Sequence, residues 1–218
     1  MRVAVAGGTG MIGELVVREL AEAGHEPVVL ARSRGVDLTT GEGLAAALAG
    51  CAEIVDVTNI VTLRKQRAID FFGRVARHLA GADVRHVVTL SIVGIDDVDL
   101  GYYVGKREQE RVVRDGPAPW TILRATQFQE FPEPLIDGAR GPFVPVPRQL
   151  SQPVAAIDVA TGWDSWRLAS GSPRPGTSRH WPGPSGCGWW TWRGGWSRPA
   201  ANARSSSRSA CPARSARR

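Results

Sequence analysis

Over the first three quarters of the chain, two kinds of apolar pattern take turns. Short, mostly apolar blocks fall at Arg2–Ala6, Pro27–Ala31, Glu53–Val57, His86–Ser91 and Trp120–Arg124. They lack a clean polar face and so predict strands buried on both sides. Between them lie segments with helical spacing: Met11–Ala23, Gly43–Ala49, Gln66–Leu79 and Tyr103–Arg114. In Gln66–Leu79 the apolar residues Ile69, Phe72, Val75, Ala76 and Leu79 share one face. Strands alternating with helices predict an α/β domain with a doubly wound parallel sheet covered on both faces.

The pattern stops near residue 162. Of the 56 residues from 163 to 218, 41 are Ser, Arg, Gly, Trp or Pro, and the one aliphatic core former is Leu168. Such a segment buries too little apolar surface to offset its ordering entropy and is expected to be disordered. We therefore divide the chain into a domain of residues 1–162 and a tail of 163–218. The tail also distorts the charge. Residues 1–162 carry 17 Lys and Arg against 20 Asp and Glu, whereas the tail carries ten Arg and one Asp. One reading of the tail is a basic, aromatic arm for nucleic acid. The composition has a better explanation in a shifted reading frame. Tryptophan is encoded only by UGG, which becomes a Leu, Val or Met codon when the frame moves back one base. Seven of the eight Trp lie in the tail. Re-read in that frame, the tail gains an amphipathic helix and a strand, so it is expected to be an out-of-frame replacement of an ordinary C-terminal part. Nucleic acid is not an expected partner.

Chemistry enters at the first strand. Val3-Ala4-Val5-Ala6-Gly7-Gly8-Thr9-Gly10-Met11-Ile12-Gly13 runs from strand through a glycine turn directly into a helix. Gly7, Gly10 and Gly13 allow the tight turn and the close approach of backbone to a ligand, and the helix start faces an anion such as a dinucleotide pyrophosphate. The second strand ends in Arg32-Ser33-Arg34, where an acidic residue would select NAD. Two arginines and a serine there suit a 2′-phosphate, which puts NADP ahead of NAD. Asp37 follows, either at the adenine or as a helix cap.

The strand His86–Ser91 ends in Ser91-Ile92-Val93-Gly94, at the strand end where ligands bind in this architecture. Tyr102 and Lys106 follow, four apart and on one helix face. An ammonium beside a phenol favours the phenolate, so Lys106 is expected to pull Tyr102 down from ~10 toward neutrality. Tyr102 could then exchange a proton with a carbonyl or hydroxyl oxygen that Ser91 holds. Tyr103 is a weaker alternative. His25, His78 and His86 read as solvated or capping, and no His/Cys/carboxylate cluster suggests a metal. Cys51, Cys187 and Cys211 give no disulfide framework. With no long apolar run, and a strand rather than a signal peptide at the start, the expectation is a cytoplasmic protein without a membrane span.

These motifs resemble the short-chain dehydrogenase/reductase superfamily, in its atypical NmrA-like NAD(P)-binding branch. The resemblance rests on Gly7–Gly13, Leu90-Ser91-Ile92-Val93-Gly94, Tyr102 to Lys106 with Glu108-Gln109-Glu110, Thr121–Phe128, and Gln152–Ala160 as a return strand and helix entry. It covers about residues 1–161. It implies a Rossmann sheet of six or seven strands and a bound NAD(P). Thr9, Met11 and Ile12 would meet the pyrophosphate, Arg32 the 2′-phosphate, and Thr58 and Asn59 the nicotinamide side. Ser91, Tyr102 and Lys106 would be the catalytic set, with Lys106 also on the nicotinamide ribose. The expected function is hydride transfer to or from a small carbonyl, hydroxyl or quinone-like substrate. The alternative is an NADP(H)-sensing regulatory protein without turnover.

Overall fold

The structure, a computed structural model, describes residues 1–62, 64–130 and 153–162 and the backbone of 177–180. Its elements in chain order are β1 (Arg2–Ala6), α1 (Met11–Glu22), β2 (Glu26–Leu30), a 3-10 turn (Arg32–Arg34), α2 (Leu44–Leu48), β3 (Glu53–Asp56), α3 (Lys65–Ala80), β4 (His86–Ile92), α4 (Gly101–Asp115), β5 (Trp120–Ala125), α5 (Ala156–Thr161) and β6 (Thr177–His180). The strands and helices predicted from the apolar pattern of residues 2–124 are all present, with shifts of a residue or two at the ends.

All six strands are parallel, in the order β2-β1-β3-β4-β5-β6. The chain winds outward from β1 to β2, then crosses back to β3 and continues the other way. The reversal puts the loops after β1 and β3 side by side at the C-terminal edge, where such sheets bind ligands. Alternate side chains feed two cores. Val3, Val5 and Val55 pack with Val16 and Leu20 of α1 and Ala160 of α5. Ala4, Ala6 and Ile54 pack on the opposite face with Leu44 of α2 and with Val75 and Leu79 of α3. Burial on both faces explains why these strands read as continuous apolar runs.

Contacts divide the chain into one unit of Met1–Trp181 and another of Pro182–Arg218, the latter wholly outside the described residues. Residues 177–180 depart from the structureless tail expected after 162. Their backbone pairs with Thr121–Arg124 of β5. A parallel ladder is made by main-chain N–H and C=O groups, so an edge strand can form without aliphatic side chains. The remaining expectations for the tail fall outside the described residues, as does Gln152 of the expected return strand and helix entry Gln152–Ala160; from Pro153 onward the helix is present and the strand is reduced to a single bridge. Val154 pairs with Phe128 in an isolated parallel bridge just before α5. Among the described residues no helix is long and apolar enough to cross a membrane.

Candidate functional site

The glycine turn is shaped by close backbone contact. Gly7 has φ +81°, a conformation that favours glycine, and a Cβ there would lie 3.1 Å from the backbone of Thr58. A Cβ on Gly13 would lie 2.1 Å from the Gly7 carbonyl oxygen and 2.6 Å from Gly8 Cα. The first turn of α1 is therefore pressed onto the loop leaving β1. Gly10 is the N-cap of α1 and contributes no side chain to it. Gly10, Thr9 and Met11 are exposed. The helix start with its free N–H groups is open to solvent. This narrow backbone cradle fits a pyrophosphate, with Thr9, Met11 and Ile12 at its mouth.

At the end of β2, Arg32, Ser33 and Arg34 form the exposed 3-10 turn closed by Gly35 in the left-handed region. Two cations thus stand one strand away from the glycine loop. Asp37 has another task. Its carboxylate accepts from the Thr39 backbone N–H at 2.7 Å and hydroxyl at 2.6 Å, which hold it below the usual carboxylate range. The N-cap of α2 is Gly43, so the helix-cap reading of Asp37 does not hold.

At the end of β3, the wholly buried Asp56 accepts the Thr58 N–H at 3.0 Å and the Thr58 hydroxyl at 2.7 Å. This fixes the turn that presents Asn59. The Tyr102 hydroxyl donates to Asn59 Oδ1 at 2.7 Å, joining the loop after β3 to the start of α4. The Tyr102 ring meets the Phe72 ring edge-on, with centroids 5.5 Å apart.

The three residues expected to act together are not bonded to one another. Lys106 is buried, and its ammonium donates to Leu90 O at 3.0 Å and Gln109 Oε1 at 2.8 Å and lies 4.6 Å from the Phe72 ring centre. Burial pulls it down to about 8, against the opposing pull of Asp56 and Glu110. Tyr102 moves opposite to expectation. Burial, with Tyr103 adding to it, pushes its phenol up to about 12, and Lys106 is not among the groups acting on it. The reason is geometric: the flexible lysine stem takes its charge inward, to stronger acceptors than a phenol. Ser91 is buried as well, and its hydroxyl donates to Glu110 Oε1 at 2.6 Å. Of the three, only Tyr102 bonds to the loop after β3, while Ser91 and Lys106 are buried.

The groups that organise this site carry no role that spacing along the chain assigns. Gln109 donates to Asp56 Oδ2 at 2.7 Å while accepting from Lys106. Glu110 is gripped by Arg124, whose Nε and Nη2 donate to its two oxygens at 2.8 and 2.6 Å, and by Arg114. Arg124 also reaches Asp96, and Arg107 reaches Ile95 O, Val98 O and Asp99, so two arginines hold the loop after β4. A signal was present: Gln109 and Glu110 stand three and four places after Lys106, on the same helix face. Among the described residues no cluster of His, Cys, Asp or Glu could hold a metal.

No known family model matches the chain. It is 32% identical over 164 residues to a (4-alkanoyl-5-oxo-2,5-dihydrofuran-3-yl)methyl phosphate reductase from Streptomyces griseus subsp. griseus. The match takes in 71% of this chain and 57% of the relative, so the chain spans little more than half of that protein's length. The fold is shared with UDP-N-acetylglucosamine 4-epimerase from Bacillus cereus, at TM-score 0.62 and 18% identity over 85% of this chain and 78% of the other. MoeE5 in complex with UDP-glucose and NAD matches at 0.64 and 19%, over 83% and 75%. Triphenylmethane reductase from Citrobacter sp., complexed with NADP(H), matches at 0.57 and 17%, over 75% and 64%. In its motifs, its likeness to a reductase and this shared fold, the chain is similar to proteins of the short-chain dehydrogenase/reductase superfamily.

Proposed function

We propose that the chain is an NADP(H)-dependent oxidoreductase that passes a hydride to a small, electron-poor unsaturated carbonyl compound. The observation that carries this reading is the cradle in which α1 is pressed onto Gly7 while Gly7 lies against Thr58. A side chain at Gly7 or Gly13 would press on the neighbouring backbone, so the turn keeps its backbone bare. Thr9, Met11, Ile12 and Gly13 would hold the pyrophosphate through backbone N–H groups, Gly10 would shape the turn with its own N–H given to Gly7 O, and Arg32 and Ser33 would hold the 2′-phosphate. Thr58 and Asn59 would line the nicotinamide side. NAD remains the competing cofactor. The nicotinamide, when bound, supplies the hydride.

Tyr102 is proposed as the group nearest the reacting carbonyl. With its phenol pushed up to about 12, it stays protonated at neutral pH and serves as a hydrogen-bond donor. A hydride added to a conjugated double bond leaves an enolate, whose charge such a donor can stabilise and which solvent can protonate. Simple carbonyl reduction leaves an alkoxide and gains more from a lysine-assisted phenol, an arrangement in which Lys106 takes no part here. Ser91 and Lys106 act through position, by fixing α4 against β4. The Streptomyces relative supports the substrate class: the compound in its name has a ring double bond next to two carbonyl groups. The chain would sit in an NmrA-like branch of the short-chain dehydrogenase/reductase superfamily.

A second reading, an NADP(H)-sensing regulatory protein without turnover, is favoured by the internal bonding of Ser91 and Lys106. One experiment separates the two. NADPH binding is followed by thermal shift and NADPH oxidation by absorbance, over a panel of enones, butenolides, quinones and aldehydes. Oxidation with enones or butenolides that falls at least tenfold in Tyr102→Phe supports the reductase. Binding with no oxidation across the panel supports the sensor, and absence of NADPH binding refutes both.

A further inference from the structure

We propose that the sheet edge between β3 and β4 seats an amphipathic small-molecule anion. Its alkyl part would lie on Val61, Val93, Val98 and Leu100, and its phosphate- or carboxylate-type group toward Arg64, Lys65 and Arg67. The proposal rests on the reductase reading above, in which this edge faces the compound being reduced.

The first support is the distribution of exposed apolar side chains. The described residues hold five large exposed hydrophobics: Met11, Val61, Val93, Val98 and Leu100. All five sit on the loops after β1, β3 and β4 or, for Met11, at the first residue beyond its loop. These three strands are neighbours in the sheet. None lies on the outward face of a helix or at the opposite edge of the sheet. Val61 is 95% exposed. Apolar surface gathered on one functional edge marks a contact site rather than scattered exposure.

The second support is rigidity. The segment carrying Val93, Val98 and Leu100 is anchored by the Arg107 and Arg124 bonds and by the fully buried Ile95. The Tyr102–Asn59 bond ties it to the loop that carries Val61. A preorganised apolar rim loses little freedom when a ligand settles on it.

The third support is charge. Arg64, Lys65 and Arg67 are exposed at the start of α3, and no acidic residue lies in that first turn. Among the described residues none of these three cations meets a carboxylate, a state they share with Arg34 and Arg74, but they stand within a few residues of one another beside the loop that carries Val61. Cations at a helix start oppose the helix dipole, so helix stability does not account for them. A ligand with an anionic group next to its alkyl tail satisfies both surfaces together.

The test is calorimetric titration of the full chain, with and without saturating NADPH, using methyl, butyl and octyl phosphate below micelle-forming concentrations, and octyl glucoside as the uncharged probe. Affinity should rise roughly threefold to fourfold for each methylene that reaches the rim. The chain-length dependence should flatten in Val98→Ser/Leu100→Ser. In Arg64→Gln/Lys65→Gln all three phosphates should weaken by a common factor of roughly ten. Equal affinity for methyl and octyl phosphate overturns the proposal, as does octyl glucoside binding as tightly as octyl phosphate. So does a rim double variant that leaves octyl phosphate binding unchanged, or one that instead dissociates a dimer in sedimentation, which would assign the rim to a second copy. Chain-length-dependent binding in a protein that does not bind NADPH would refute the reductase reading and leave this one standing.

Discussion

The Lys106 ammonium donates to the side-chain carbonyl of Gln109, 2.8 Å away and one turn further along α4. The same amide gives its N–H to Asp56 on β3. Its orientation is dictated by chemistry, since the reverse would set NH2 against an ammonium and C=O against a carboxylate. One neutral side chain thus links a buried cation to a buried anion and ties α4 to the turn that presents Thr58 and Asn59.

Stability should rise with pH above neutrality. Lys106 titrates near 8 in the folded chain against an ordinary 10.5. Above 8 the unfolded chain therefore binds more protons than the folded one, and unfolding becomes costlier. Tyr102, raised from 10 to about 12, works the other way above 10. Cys51, pushed up from 9 by burial, also opposes the gain. The lysine contribution between pH 7 and 9.5 amounts to about 2 kcal/mol. Urea midpoints at the two values should show it as a difference between the unaltered chain and Lys106→Met. Equal pH dependence in the two proteins would contradict the buried charge.

Gly13→Ala should disable the cradle. The added methyl meets the Gly7 carbonyl oxygen at 2.1 Å, where backbone must move. We expect a loss of about 3 kcal/mol, or roughly 6–12 °C in Tm, together with loss of NADPH binding. Gly24→Ala is the control for backbone strain alone, because nothing lies within 4 Å of its Cβ position although its φ is +79°. It should leave NADPH affinity intact.

Removing Arg124 should destabilise two places together. Arg124→Met strips a two-pronged partner from Glu110, which is 1% exposed, and frees Asp96. The cost expected for one buried charge left short of its partner is about 3–5 kcal/mol. Amide hydrogen exchange should speed up in residues 93–100 more than in α1. Uniform acceleration would mean that Arg124 does not hold this loop.

Arg32→Ala should weaken NADPH binding by roughly tenfold or more while leaving NADH within about twofold, as expected for loss of a charge-assisted contact to a 2′-phosphate. Titrations of both cofactors, followed by nicotinamide fluorescence, measure the two constants directly. A parallel loss for NADH would move Arg32 away from the 2′-phosphate.

The fold was legible because both faces of the sheet are covered. Val3 and Ala4 serve different cores, yet both must be apolar, which produces unbroken runs. The glycine cradle was legible because only glycine allows Gly13 so close to Gly7. The wiring of the Tyr102–Lys106 region was not. Spacing places two side chains on one helix face, but it does not say which acceptors a long, flexible lysine will choose. Leu90 O and Gln109 win because they are buried beside it, and that depends on the packing of β4, α3 and α4, which spacing along α4 does not record. Asp37 shows the same limit on a smaller scale: it binds Thr39, two residues away, while Gly43 takes the cap position of α2.

Arg107 holds the loop after β4 through the main-chain carbonyls of Ile95 and Val98. Main-chain oxygens are present whatever side chains stand there, so the anchorage does not depend on the side chain at position 98. Residues 93, 98 and 100 can therefore be exchanged, by mutation or by divergence, without loosening the scaffold beneath them. The surface of this edge can thus change while folding stays under separate control, so its side chains are free to diverge independently of the scaffold.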